Sequence, residues 1–377
     1  VTNLETPLLK QHHDLGATMV DFAGWSMPLR YSGDVAEHQA VRQAAGLFDL
    51  SHMGELMVTG ADAAAALDYA LVGHMSRMGL WAAKYTMMCT PDGGVIDDLV
   101  VYRRDWEHFM VVANAANREA VLGQLRDRIA AGGFDAEVTD ETASIALIAV
   151  QGPAAVDIVT AMCELGAEDP PALKYYTAAN VLLEGGHHAF VARTGYTGED
   201  GFELFVPADL AADVWTLAMD RGAERGLIPC GLASRDSLRL EAGMPLYGNE
   251  LSRTLSPFAA GLGRVVNFGR ADGPERGDFV GREALAKVKE AGTERVLVGL
   301  VGAGRRAARA GYPVVTEAGE DVGVVTSGLP SPTLGSPVAM AYVDRGVSEP
   351  GTSLAVDVRG RHEQMNVVAL PFYRRGA

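Results

Sequence analysis

The run Val95-Ile96-Asp97-Asp98-Leu99-Val100-Val101-Tyr102 places two adjacent carboxylates in an otherwise apolar stretch, directly after the turn Pro91-Asp92-Gly93-Gly94. The run reads as a strand. Side chains alternate across a strand, so Asp97 and Asp98 point to opposite faces and only one can serve a given site. Asp98 shares its face with Ile96, Val100 and Tyr102, whereas Asp97 shares its own with Val95, Leu99 and Val101. Among such neighbours desolvation raises a carboxyl pKa unless the group is paired. The setting suits a functional carboxylate and equally a strand-end salt bridge, and alternation does not choose between the two aspartates.

A second candidate is Arg193 to Leu204, with glycines spaced G-x-x-G-x-x-G, which is not a dinucleotide fingerprint. It reads as a glycine-permitted loop returning into a strand, Phe202–Val206, where Glu203 faces away from Phe202 and Leu204. Arg235 and Arg239 lie four apart on one face of a helix over Leu232–Glu241. Like charges at that spacing repel mildly, so the face is either solvated, helped by Asp236 and Glu241, or turned to an anion. Arg374-Arg375 closes the chain as a basic tail. Gly302-Ala303-Gly304-Arg305-Arg306-Ala307 mimics a nucleotide loop, but Gly311 and Pro313 leave no room for the receiving helix. His12-His13 and His187-His188 are vicinal rather than at ligand spacing, and no metal is expected. The lone His52 reads as a buried, hydrogen-bonded histidine or a catalyst.

These residues need elements to hold them. Asp34 and Glu37 have capping-box spacing for a helix over Asp34–Ala45, with Val35, Val41 and Ala45 as its apolar stripe and Gly46 as its stop. Between Gly54 and Thr139 the pattern predicts strand Glu55–Thr59, helix Asp62–Val72, and strands Tyr85–Cys89, Val95–Arg103 and His108–Asn114. Helix Arg118–Ala131 and strand Phe134–Val138 follow. That order suggests a ferredoxin-like α+β unit with an added strand. Three helices are expected among strands over 144–265, including Asp209–Arg225 and Leu232–Glu241. Gly269–Asp278 reads as a linker, a short helix is placed near Gly281–Glu290, and the proline-punctuated remainder suggests a small β-barrel or jelly roll.

Bulk composition bounds what such a chain can do. Its 377 residues, 48% hydrophobic and 21% charged, allow two or three domains with substantial cores. Three separated cysteines argue for a reducing, cytoplasmic setting without disulfides, and no signal segment or membrane span is expected. A formal charge of −16 argues against nucleic-acid or anionic-membrane binding, so an anionic ligand needs a few specific arginines.

Taken in order, the segments resemble the glycine cleavage T-protein family along nearly the whole chain. The resemblance rests on Met19-Val20-Asp21-Phe22-Ala23-Gly24-Trp25, on Gly46 to Gly54 and on Gly93 to Leu99. It continues through Gln151-Gly152-Pro153, Arg193 to Glu203, Ser234 to Gly243, Thr326-Ser327-Gly328 and Ser331 to Gly335. It implies an α+β, three-domain cloverleaf around bound tetrahydrofolate. A discontinuous first domain (1–52 plus 144–268) would be interrupted by a ferredoxin-like insertion (53–143) and followed by a C-terminal β-barrel or jelly-roll domain (279–377). The implied reaction takes an aminomethyl group from the lipoyl arm of H-protein to tetrahydrofolate and releases ammonia, with neither metal nor flavin. By the same resemblance Asp98 is the essential carboxylate and Glu203 the pterin anchor, while Arg235 and Arg374 bind folate and Tyr85, Met53, Asn114 and Tyr196 line its pocket. Carbon transfer passes through iminium-like cations, which a preorganised carboxylate stabilises. The alternatives are a folate-dependent demethylase of the same superfamily and a folate-binding iron–sulfur maturation factor. The latter carries a cysteine that Ala242 to Gly248 lacks.

Overall fold

The computed structural model describes residues 2–164, 170–269 and 276–376, so most of the expected linker Gly269–Asp278 lies outside the described residues. The chain divides into two compact units, Val1–Thr86 with Leu99–Arg235, and Met87–Asp98 with Asp236–Ala377.

In the first unit, β1 (Leu4–Glu5), β2 (Thr18–Phe22) and β3 (Trp25–Arg30) form a small sheet in the order β1-β3-β2, with α1 (Leu9–Asp14) between the first two strands. Helix α2 runs Asp34–Gln43, and β4 (Ala45–Asp49) follows at once, so the expected stop Gly46 lies inside a strand. The N-cap is Gly33 at φ 125°, not Asp34. Glu37 still reaches back as a capping box requires, its Oε1 accepting from the backbone N–H groups of Tyr31, Ser32 and Gly33. Val35 points to solvent rather than joining the apolar stripe.

The middle segment contains β5 (Gly54–Thr59), α3 (Ala63–Ala70), β6 (Ala83–Cys89), β7 (Val95–Arg103), β8 (His108–Ala113), α4 (Arg118–Gly132) and β9 (Glu137–Asp140). Its strands lie in the order β6-β7-β8-β5-β9, and α3 packs on α4. Gly133, in the left-handed region at φ 63°, ends α4. The last strand starts three residues later than Phe134. Phe134 instead turns back, its N–H on Ile129 O and its ring over Gly132.

The larger sheet runs β11-β12-β13-β10-β4-β14 and is built from β4, β10 (Ile145–Gln151), β11 (Ala178–Leu183), β12 (His187–Ala192), β13 (Gly201–Pro207) and β14 (Leu227–Pro229). Helices α5 (Ala155–Met162) and α6 (Ala211–Gly222) pack on it. Ile148, Val150, Phe202, Leu204 and Trp215 form the core beneath them. The register Val150↔Phe202 and Ala149↔Glu203 puts Glu203 on the other face, as alternation requires.

Helix α7 (Leu232–Glu241) passes from the first unit into the second. There α8 (Arg282–Ala291) precedes six strands: β15 (Arg295–Gly302), β16 (Pro313–Val315), β17 (Asp321–Pro330), β18 (Pro337–Asp344), β19 (Ser353–Asp357) and β20 (His362–Val368). They close into a barrel in the order β15-β18-β17-β16-β19-β20, which leaves no strand edge unpaired. Alternate residues such as Leu300, Val325, Ala341, Val356 and Val367 fill its interior. A bulge in β17 between Val325 and Ser327 turns Thr326, whose hydroxyl donates to Met340 O.

Candidate functional site

Glu203 lies half-buried on the sheet face that carries Phe190 and Phe205. Tyr102 from β7 stands edge-on to both rings and donates its hydroxyl to Glu203 Oε2 at 3.0 Å; Thr194 Oγ1 donates to the same oxygen at 2.5 Å. Burial, then the nearby charge of Glu203, push the Tyr102 phenol well above its ordinary range, so it stays a donor. Both bonds fall on Oε2, and among the described residues Oε1 accepts no hydrogen bond. The carboxylate is thus held firmly on one side and available on the other.

The loop that delivers Thr194 is stapled by Gln151. Its amide donates to Thr194 O and its carbonyl accepts from Thr197 Oγ1. A Cβ at Gly195 would lie 2.0 Å from Gln151 Oε1, and one at Gly201 2.4 Å from Nε2, which explains both glycines. Arg42 donates to Thr197 O and Glu199 Oε1, and Arg193 pairs with Asp200. This loop is a rigid scaffold.

Arg235, half-buried near the start of α7, lies over the Tyr196 ring at 4.7 Å. Burial lowers its basicity, while Tyr196 and Glu203 act in the opposite direction, which places these three residues in one electrostatic neighbourhood. His52 is 2% exposed, and among the described residues its Nδ1 has no hydrogen-bond partner. Burial, then the charge of Arg235, pull its pKa down to about 4 against the opposing pull of Asp49, so the ring is neutral at pH 7. The expected hydrogen-bonded core histidine is instead His12, whose Nε2 meets Asp49 Oδ2 at 2.8 Å and whose Nδ1 meets the Tyr31 hydroxyl at 2.9 Å. Burial would raise Asp49, but hydrogen bonds from His12, Thr6 and Ser51 hold it below the usual carboxylate range.

Met53 and Asn114 flank the last β5–β8 pair, Gly54↔Ala113, and both are half-buried, as is Tyr85 in β6. One carboxyl on this sheet escaped the sequence reading. Glu55 is fully buried, and among the described residues neither of its carboxyl oxygens accepts a hydrogen bond from another residue. Burial, then the charge of Asp140, raise it well above its ordinary value. Val112 pairs with both Glu55 and Val100, so these three share a sheet face, and Asp98 lies on that same face of β7 two residues before Val100. In sequence Glu55 is one more polar residue in an alternating strand, and nothing local marks it.

In the second unit Asp97 is fully buried and Asp98 half-buried. Burial raises the Tyr247 phenol, opposed by Arg253, and the charges of both aspartates add to the rise. The hairpin before them is anchored by Val95 N–H on Ser252 O, and a Cβ at Gly94 would come within 1.8 Å of Arg253 O. Arg239 is not solvated. It donates to Glu250, Asp236 and Ser327, all at 2.8 Å, in a buried ion pair that Ser327 completes through Glu250 Oε1. Glu241 accepts from Ser331 and Thr333, and its backbone O accepts from Tyr373 N–H, which fixes the tail just before the exposed Arg374. The Thr326 to Gly328 and Ser331 to Gly335 motifs therefore serve these two anchors.

Comparison with known proteins adds a line independent of this geometry. Residues 8–270 match the family described as GCVT N-terminal domain, and residues 295–374 match the glycine cleavage T-protein C-terminal barrel domain. An aminomethyltransferase of Streptomyces avermitilis is 57% identical over 375 residues, 98% of this chain and 97% of that protein. One from Saccharopolyspora erythraea is 56% identical over 374 residues, 99% of each. The crystal structure of glycine cleavage system aminomethyltransferase T from Bartonella henselae superposes with a TM-score of 0.89 at 34% identity, covering 98% of both chains.

Proposed function

The chain belongs to the glycine cleavage T-protein family and is an aminomethyltransferase, and we propose that it moves a one-carbon unit from aminomethylated, lipoyl-bearing H-protein to tetrahydrofolate. The observation that carries this reading is similarity to aminomethyltransferases over almost the entire chain. In the balanced reaction the bonds from carbon to nitrogen and to sulfur break, and two new carbon–nitrogen bonds form. Ammonia and the dihydrolipoyl arm leave. Tetrahydrofolate, when bound, supplies the two nitrogens that receive the carbon.

The donor set fits such a ligand. Glu203, steadied on Oε2 by Tyr102 and Thr194, keeps acceptor capacity for an edge that presents two N–H groups, as the pterin's amino and ring N–H edge does. Asp98 is assigned the catalytic role. Its carboxylate stabilises positive charge developing at the transferred carbon and orients the attacking nitrogen. Arg235 and Arg374 meet the ligand's polar and anionic groups, and Tyr85, Met53, Asn114 and Tyr196 line its pocket. The three-domain division, 1–52 plus 144–268, 53–143 and 279–377, is part of the same reading.

The test is ammonia release from aminomethylated H-protein with and without tetrahydrofolate. Release that depends on folate and yields 5,10-methylene-tetrahydrofolate supports the assignment. Tight folate binding without turnover would point to demethylation of another substrate.

A further inference from the structure

Arg235 and Tyr196, stacked at 4.7 Å, come from separate parts of the first unit: the start of α7 and the loop after β12. Both parts are tied to one ten-residue helix, α2. Glu37 makes the first tie. It is fully buried, and its two carboxyl oxygens serve different segments. Oε1 takes the N–H groups of residues 31–33, whereas Oε2 accepts from Gly231 N–H at 2.8 Å and from the Ser234 hydroxyl at 3.4 Å. Gly231 O in turn accepts from Arg235 N–H at 3.2 Å, so the first turn of α7 hangs on this carboxylate. The same turn is pressed against β3, because a Cβ at Gly231 would lie 2.3 Å from Leu29 O. A carboxylate at this end of α7 also meets the positive pole of the helix dipole.

Arg42 makes the second tie. Its side chain is buried, and one guanidinium nitrogen donates to Thr197 O at 2.7 Å and to Glu199 Oε1 at 2.9 Å. Thr197 follows Tyr196 directly, so the ring beneath Arg235 is fixed through its neighbour's backbone. Side chains five apart on a helix project about 140° from each other, which is how one short helix reaches both segments. Burying charged groups is costly unless they are hydrogen-bonded. At Glu37 and Arg42 those bonds go to the segments that bring Arg235 and Tyr196 together.

We propose that α2 is the bracket of the folate pocket, with Glu37 and Arg42 as positioning residues that set the Arg235–Tyr196 stack for tetrahydrofolate; the inference rests on the roles proposed above for Arg235 and Tyr196. Mutant cycles in the full chain test it. Glu37→Gln is made with and without Arg235→Ala. Arg42→Gln is made together with Glu199→Gln, so that no buried charge loses its partner, with and without Tyr196→Ala. The readouts are folate affinity by fluorescence titration, thermal midpoint, and KM for tetrahydrofolate and kcat at saturating aminomethylated H-protein. Glu37→Gln is expected to raise the folate Kd and KM at least about tenfold while kcat falls less than about threefold. Once Arg235 is removed, the same change should raise Kd less than about twofold, because nothing is left to position, although the thermal midpoint falls as before. The Arg42–Glu199 variant should behave in the same way toward Tyr196. Ser234→Ala removes one donor to Oε2 and takes the place of Glu37→Gln if that variant does not fold, with the same loss of effect expected beside Arg235→Ala. An unchanged Kd in folded variants, or an equal fold-change with and without the stacked partner, would overturn the positioning role and leave the Arg235 assignment standing. Undiminished folate affinity in Arg235→Ala would overturn that assignment and this inference with it.

Discussion

At His52 and Glu55 burial acts on opposite charges, and the two arms of the pH–stability curve should separate them. His52 has an ordinary pKa of 6.5 and about 4 in the fold, so on acidification the unfolded chain takes up the proton first. Stability is therefore retained above about pH 6.5 and lost as pH falls toward 4. His52→Gln should reduce the loss between pH 7 and 4.5 by roughly 2 kcal/mol, read from urea unfolding at both values. Glu55 is raised, so its contribution is present below its ordinary value of 4.5 and is lost as pH rises through its folded value. Glu55→Gln should flatten the loss of stability as pH rises above 4.5, and an identical slope in the same titration would count against a neutral buried acid. At Glu203 the issue is recognition. Glu203→Gln keeps the shape but replaces an acceptor with a donor, so folate affinity should fall at least about tenfold with little change in thermal midpoint, because hydrogen bonds to charged groups contribute about 1.5–3 kcal/mol. Equal affinity, measured by fluorescence titration, would remove Glu203 from the pterin edge.

Among the elements, the hairpin before Asp98 depends most on one residue. Gly94→Ala would push a Cβ into the Arg253 carbonyl, a backbone atom that cannot swing aside, whereas a Cβ at Gly123 in α4 meets nothing within 4 Å. Thermal unfolding should show Gly94→Ala destabilised by more than about 2 kcal/mol and Gly123→Ala stabilised by about 0.5–1 kcal/mol. Strands such as Val95–Arg103 and Gly54–Thr59 were legible because apolar alternation is a local signal. The N-cap of α2 was not. Asp34 and Glu37 had the right spacing, but the chain reverses at Gly33, and only the positive φ there sets the register of the cap. Helical spacing likewise put Arg235 and Arg239 on one face without saying what covers it. Arg239 is buried by Glu250 and by Ser327, 88 residues away, and partners so distant leave no mark in the periodicity.

For the molecule as a whole, the charge of −16 made specific arginines necessary, and the motif order brought the family within reach of the sequence alone. The burial of Glu55 was invisible there, since a sequence shows residue type but not which side chains stay in water. The pair Asp97-Asp98 stands between these cases: alternation separates the two faces, and only burial distinguishes them, with Asp97 sealed and Asp98 partly open. The central claim is that Asp98 carries the chemistry. Its most direct test is single-turnover, folate-dependent ammonia release from aminomethylated H-protein by Asp98→Asn beside Asp97→Asn, with folate binding and thermal midpoint measured on the same preparations. Asp98→Asn should lose at least about a hundredfold in rate while still folded and binding folate, in line with the removal of one preorganised electrostatic group. Full turnover by Asp98→Asn, or a comparable rate loss in a folded, folate-binding Asp97→Asn, would contradict the assignment.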